Sequence, residues 1–249
     1  MLKPLIDVDR ISCKTWATFA IERLFRGIRM HRDTGRGGEC NLLQVVDCVV
    51  LNLNEVGGRN WYWPTMFAKR ATAKGEDESY EEWVKDTRVV CRLDRFDGQL
   101  ATCEKMFIPM HEGKDLDGHW ILLVVYVRRG SIELWDSAEG ARLTDDQHAM
   151  IQKVLEPVDR VTMQECMTGN SGKRRWISKG AIVEPLHVPK QANGLDCGVY
   201  VMGNMIYFGE DRANQYNSDE FRSEILLECL RAPNNDLHEV IQAAVRSDN

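Results

Sequence analysis

The segment WILLVVYV, residues 120–127, is followed by RRGS at 128–131 and IELW at 132–135. A continuous β-branched and aromatic run, a polar turn and a shorter alternating run make a β-hairpin signal. No other stretch constrains the fold as strongly. An antiparallel hairpin returns the end of its second strand to the start of its first. His119 immediately precedes the first run and Asp136 immediately follows the second, so both belong to one rim of the sheet.

Around this hairpin the chain alternates less regularly. Apolar residues at helical spacing predict helices over 15–30, 40–56, 144–155, 197–208, 218–231 and 237–245. Ser218 suits an N-cap, with Glu220 and Glu224 in the early turns. Residues 76–86 (EDESYEEWVKD) read as the acidic start of an exposed helix, and 88–94 as a short apolar piece. KMFIP at 105–109 and GAIVEPLHV at 180–188 are strand-like. Helices precede a central group of strands and helices follow it, which is an α+β order.

The chain has 249 residues, 43% hydrophobic and 28% charged, enough for one full core. The expected organisation is an N-terminal helical extension over 1–39 and one compact domain over 40–249. The net charge of −6 argues against a broad nucleic-acid-binding face, although KRR at 173–175 is a local basic patch. The N-terminal MLKPLIDVDRIS lacks the apolar core of a signal peptide. The longest apolar run, ILLVVYV, is too short for a membrane-spanning helix. Eight cysteines show neither C-x-x-C pairs nor zinc-finger spacing, so reduced thiols, no metal and no cofactor are expected. These features predict a nuclear or cytoplasmic protein with no membrane contact.

KQANGLDCGVYVM at 190–202 places Cys197 after a polar loop and at the start of a predicted helix. A thiol attacks only as the thiolate. A helix N-terminus favours that charge, and a neighbouring imidazolium favours it further. Asp136 can hold His119 by one ring nitrogen and leave the other for the sulfur, as in other nucleophile–His–acid triads. Gly198 leaves room for a substrate backbone. Gln191 offers an amide N–H that, with the Cys197 backbone N–H, suits a developing oxyanion. Taken singly, each residue has an ordinary structural explanation: a buried cysteine, a rim histidine, a turn aspartate, a loop glutamine. Their joint presence and order carry the functional reading.

HW at 119–120, WDSAEG at 135–140 and PKQANGLDCGVYV at 189–201 resemble the ubiquitin-like protein-specific cysteine proteases. These are the SUMO/sentrin- and NEDD8-specific enzymes related to the adenovirus protease. MFIPMH at 106–111 resembles that family's strand before HW, and EFRSEILLECL at 220–230 its C-terminal helix. The resemblance implies a papain-like fold with a central mixed β-sheet flanked by helices. It implies His119 as general base, Asp136 as its orienting acid, Cys197 as nucleophile and Gln191 in the oxyanion hole. The implied reaction is cleavage after the C-terminal Gly-Gly of a ubiquitin-like modifier, SUMO first and NEDD8 second, by precursor processing or isopeptide deconjugation. The modifier and its conjugates are the implied partners, and Trp120 one wall of a tunnel for the two glycines.

The family's W-L-x-D motif is matched by Gln44–Val45–Val46–Asp47, so Gln44 stands where a second tunnel tryptophan is expected. Trp61 and Trp63 are the replacements nearby. Three other readings compete. His111–Glu112 begins like a metalloprotease H-E-x-x-H, but the fifth position is Asp115. An acyltransferase of the same clan would use the same cysteine, histidine and acid. A divergent protease-like domain would bind a ubiquitin-like protein without cleaving it.

Overall fold

The computed structural model describes residues 42–56, 58–74, 79, 81–83, 85, 87, 103–113, 118–166, 176–210 and 217–231. The expected 1–39 extension, the helices at 15–30 and 237–245, the 88–94 piece and the KRR patch lie outside the described residues.

Five strands form one mixed sheet in sequential order. Strand β1 (Asn60–Tyr62) runs parallel to β2 (Lys105–Glu112). Strands β2, β3 (His119–Tyr126) and β4 (Ser131–Trp135) are antiparallel neighbours, and β5 (Ile182–Val183) runs parallel to β4. The predicted hairpin is therefore β3–β4, at the sheet's centre. Pro109 is tolerated inside β2 because β1 pairs only as far as Phe107, so no neighbour on that side lacks a donor.

Alternation along the strands divides the core into two. On one face Met106, Ile108, Met110, Ile121, Leu123, Val125 and Leu134 meet helices α2 (Thr65–Ala73) and α3 (Asp145–Cys166). On the other, Phe107, Trp120, Leu122, Val124 and Trp135 meet α1 (Leu42–Val56), α4 (Cys197–Ile206) and α5 (Ser218–Arg231). β3 reads as an unbroken apolar run because helices cover both its faces.

Several elements depart from the sequence reading. The helix expected over 144–155 continues to Cys166 despite Pro157. Its first turn carries a reciprocal cap, Thr144 Oγ1 accepting from the Gln147 N–H at 3.1 Å and Gln147 Oε1 from the Thr144 N–H at 3.0 Å. The strand expected over 180–188 shrinks to Ile182–Val183, because Pro185 and a turn at 186–187 end the pairing. Ser218 is the first residue of α5 rather than its cap; its hydroxyl bonds Asp196. β1 and α2 went unpredicted. Pro64 precedes α2 without a side-chain cap, and Asp47 of α1 supplies one, accepting from the Thr65 N–H at 2.7 Å and Oγ1 at 2.9 Å.

Asn54, buried on α1, closes the outer edge of β1. Its Nδ2 donates to the Tyr62 carbonyl at 2.7 Å and its Oδ1 accepts from the Tyr62 N–H at 2.9 Å. One side chain thus replaces a missing neighbour strand. Asn54→Ala leaves both groups unpaired, and urea unfolding should show a loss of about 2–4 kcal/mol. A midpoint within about 0.5 kcal/mol of the parent would show that water satisfies this edge.

Candidate active site

The site forms where the central hairpin's end meets the N-terminus of α4. His119 is the first residue of β3, and Asp136 directly follows β4. Their side chains meet as the hairpin predicted, His119 Nε2 donating to Asp136 Oδ1 at 2.7 Å. The same Oδ1 accepts from the Ala138 N–H at 2.8 Å, which fixes the carboxylate against the following turn. The other imidazole nitrogen is left for Cys197, whose sulfur is hydrogen-bonded by the His119 side chain.

Charge on the three groups is mutually reinforcing. Burial alone would raise the Cys197 thiol, but the His119 hydrogen bond and charge, with backbone N–H groups of Trp120 and Gly198, bring it below its ordinary value. The Asp136 and Cys197 hydrogen bonds push His119 up to about 10, against a smaller opposing effect of burial. Burial also opposes ionisation of Asp136, and the His119 and Ala138 hydrogen bonds prevail to hold it below its usual range. The arrangement is a thiolate–imidazolium pair with a carboxylate behind it, suited to nucleophilic acyl transfer.

Cys197 is the first residue of α4, where free backbone N–H groups favour a negative sulfur. It is 5% exposed. Gly198 beside it is buried as well.

Gln191 reaches the same loop and is held on both sides. Its Oε1 accepts from Ser137 Oγ at 2.6 Å and its Nε2 donates to the Asn193 carbonyl at 2.5 Å. One amide hydrogen is therefore used within the loop, and the second has no hydrogen bond among the described residues. Trp120 is 3% exposed, packed in the cluster that holds Cys197, with its ring 5.0 Å from His111. Trp61 and Trp63 lie in the core on the opposite face of the sheet, so neither replaces a tunnel tryptophan beside Trp120. Position 44 is in the first turn of α1. His111 and Glu112 sit on β2, an extended strand, so the helical spacing of a metalloprotease motif does not form. Among the described residues no cluster of three His, Cys, Asp or Glu could hold a metal.

Sequence reasoning missed the residues that tie the two halves together. Lys190 Nζ donates to the Asp136 carbonyl at 2.7 Å, and the Gln191 N–H to the Ser137 carbonyl at 2.8 Å. Asn193 Oδ1 accepts from the backbone N–H groups of Leu195 at 2.8 Å and Asp196 at 3.1 Å. Asp196 is buried and bonded by Asn193, Ser218 and Arg222, which anchors the loop before Cys197 to α5. Asn193 and Asp196 stood in the KQANGLDCG stretch, but polar loop residues carry no periodic signal.

Residues 61–237 match the Ulp1 protease family, C-terminal catalytic domain. Ubiquitin-like-specific protease 1 of Saccharomyces cerevisiae is 26% identical over 113 residues, 45% of this chain and 16% of that protein. The match thus spans only a small part of this relative's length. The structure of SUMO protease Ulp1 with its catalytic cysteine oxidised to a sulfinic acid superposes with a TM-score of 0.52 at 19% identity, covering 75% of this chain and 74% of that one. The C-terminal Ulp1 protease domain in complex with Smt3, the yeast ortholog of SUMO, gives 0.51 at 18% identity, covering 77% and 76%. The Chaetomium thermophilum Ulp1-like SUMO protease catalytic domain gives 0.50 at 18%, covering 79% and 71%. These likenesses show a shared fold, α+β with a central mixed sheet. With the family match over most of its length, this chain belongs to the Ulp1 protease family, a family of cysteine proteases.

Proposed function

We propose that this protein cleaves after the C-terminal Gly-Gly of a ubiquitin-like modifier, SUMO first and NEDD8 second, in precursors or in lysine isopeptides. The supporting observation is the Cys197–His119–Asp136 alignment at the meeting of α4 and the hairpin. In this reading the Cys197 thiolate attacks the carbonyl carbon of the terminal glycine. The carbonyl electrons move to oxygen, where the Cys197 N–H and the second Gln191 amide hydrogen stabilise them. The His119 imidazolium gives its proton to the leaving amine as the C–N bond breaks. A water, deprotonated by the now neutral His119, then hydrolyses the thioester and returns the thiolate. Trp120 forms one wall of the approach, passable to glycines because they lack a Cβ. A thiolate nucleophile suits a reducing compartment, the nucleus or cytoplasm.

The test is a panel of SUMO, NEDD8 and ubiquitin bearing a C-terminal electrophile. SUMO should label the parent at Cys197, and Cys197→Ala should not label. Labelling by none of the three in folded protein would overturn the protease reading and favour a binding domain; acetyl transfer from a thioester would favour the acyltransferase. Gln191→Ala should lower kcat by roughly 100-fold or more with little change in KM, since the oxyanion exists only in the transition state.

His119 lowers Cys197, so the acid limb of kcat/KM falls below the ordinary thiol range. Asp136 and Cys197 raise His119, so its proton persists and the alkaline limb reaches toward about 10. Asp136→Asn should draw the alkaline limb toward neutrality and reduce kcat by on the order of 100-fold. An unmoved alkaline limb would detach Asp136 from His119's charge.

A further inference from the structure

Glu112 is the last residue of β2 and pairs directly with His119 across the antiparallel ladder. Opposed residues project on the same face, with Cβ atoms about 5 Å apart. Gly118 packs closely on β2: a Cβ there would lie 2.1 Å from the Glu112 carbonyl oxygen and 2.3 Å from His111 Cε1. Gly113 on the other side has φ +123°, a conformation that favours glycine. The strand register therefore places Glu112 beside His119 on one face of the sheet.

The carboxylate's two oxygens have different surroundings. Oε2 accepts from Gln147 Nε2 at 3.1 Å, and Gln147 belongs to the reciprocal cap that opens α3. Oε1 is sealed from solvent with no hydrogen bond among the described residues. A sealed, unbonded carboxylate oxygen is costly unless a cation stands near it. Among the described residues, the charged groups acting on Glu112 are His119 from β3, which favours its ionisation, and Asp136 beyond β4, which opposes it. His111 shares its strand, and Asp145, Asp146 and His148 on the first turns of α3 are exposed. The imidazolium is the cation this oxygen has available.

We propose that Glu112 is a second carboxylate serving His119, a positioning residue that shares the imidazolium charge with Asp136 and is itself held by Gln147. The site then draws on three places: the turn after β4 supplies Asp136, β2 supplies Glu112, and α3 fixes the second carboxylate. Burial, with Asp136, holds the Glu112 carboxyl above its usual range, and the Gln147 hydrogen bond and His119 charge offset part of that rise. This inference rests on reading His119 as the charged partner of Cys197, and its test needs no substrate.

The test follows His119 by carbon NMR in histidine-labelled protein across pH, its signal assigned by loss in His119→Asn. Glu112→Gln should lower the His119 midpoint by about half to one pH unit, because the removed charge favoured the protonated ring. Glu112→Asp should restore part of the shift. A merely structural role would leave the midpoint in place whatever happens to the melting temperature. Linkage is reciprocal, so His119→Asn should raise the Glu112 carboxyl midpoint in an otherwise unchanged chain. That second titration decides the matter if Glu112→Gln does not fold. An unmoved His119 midpoint in folded Glu112→Gln, or an unmoved Glu112 midpoint in His119→Asn, overturns the proposal. A failure of all modifier probes with the NMR shifts intact would overturn the substrate and leave Glu112's role standing.

Discussion

The contact between the Cys197 sulfur and the His119 imidazole is the constraint on which the rest of this structure depends. Each group alone is badly placed for its charge. The thiol is 5% exposed at the base of a buried helix, where desolvation disfavours a thiolate. The imidazole is partly buried, which disfavours its cation. Together, with Asp136 behind the ring, the two charges become the favoured state. The pair also joins parts of the fold distant in sequence. Helix α4, packed on one face of the sheet, brings the sulfur, and the start of β3 brings the ring.

A pair of this kind works only if its geometry is held, and polar residues in the loops hold it. The turn after β4 and the loop before α4 are laced by Lys190 to the Asp136 carbonyl and by Gln191 to Ser137. Asp196 fastens the loop before Cys197 to α5 through Ser218 and Arg222. These bonds converge on the two positions that cannot move, the carboxylate behind His119 and the residue before Cys197. The scaffold beneath them is rigid because helices cover both faces of the sheet.

The hairpin was legible because a strand buried on both faces shows as an unbroken apolar run, and its closure put His119 and Asp136 on one rim without further information. α4 was legible from its apolar content and from the polar loop before it. The four candidate residues, His119, Asp136, Gln191 and Cys197, were singled out by their order along the chain rather than by any one of them. β1 and α2 were not legible for a physical reason: a three-residue strand has no period to detect, and its edge and the next helix's cap come from Asn54 and Asp47 on α1. β5 was over-read because apolar content alone does not supply a pairing partner. Glu112 was singled out only as half of a metal motif. Its relation to His119 lies in strand register, which the sequence expresses only after the hairpin is closed.

The most direct test of the account is the ultraviolet thiolate absorbance of the parent minus that of Cys197→Ala, followed across pH. The account predicts that the Cys197 thiolate forms below the ordinary thiol range, and that His119→Ala returns its titration to that range. A difference signal that emerges only in that ordinary range in the parent, and is unchanged by His119→Ala, would contradict it.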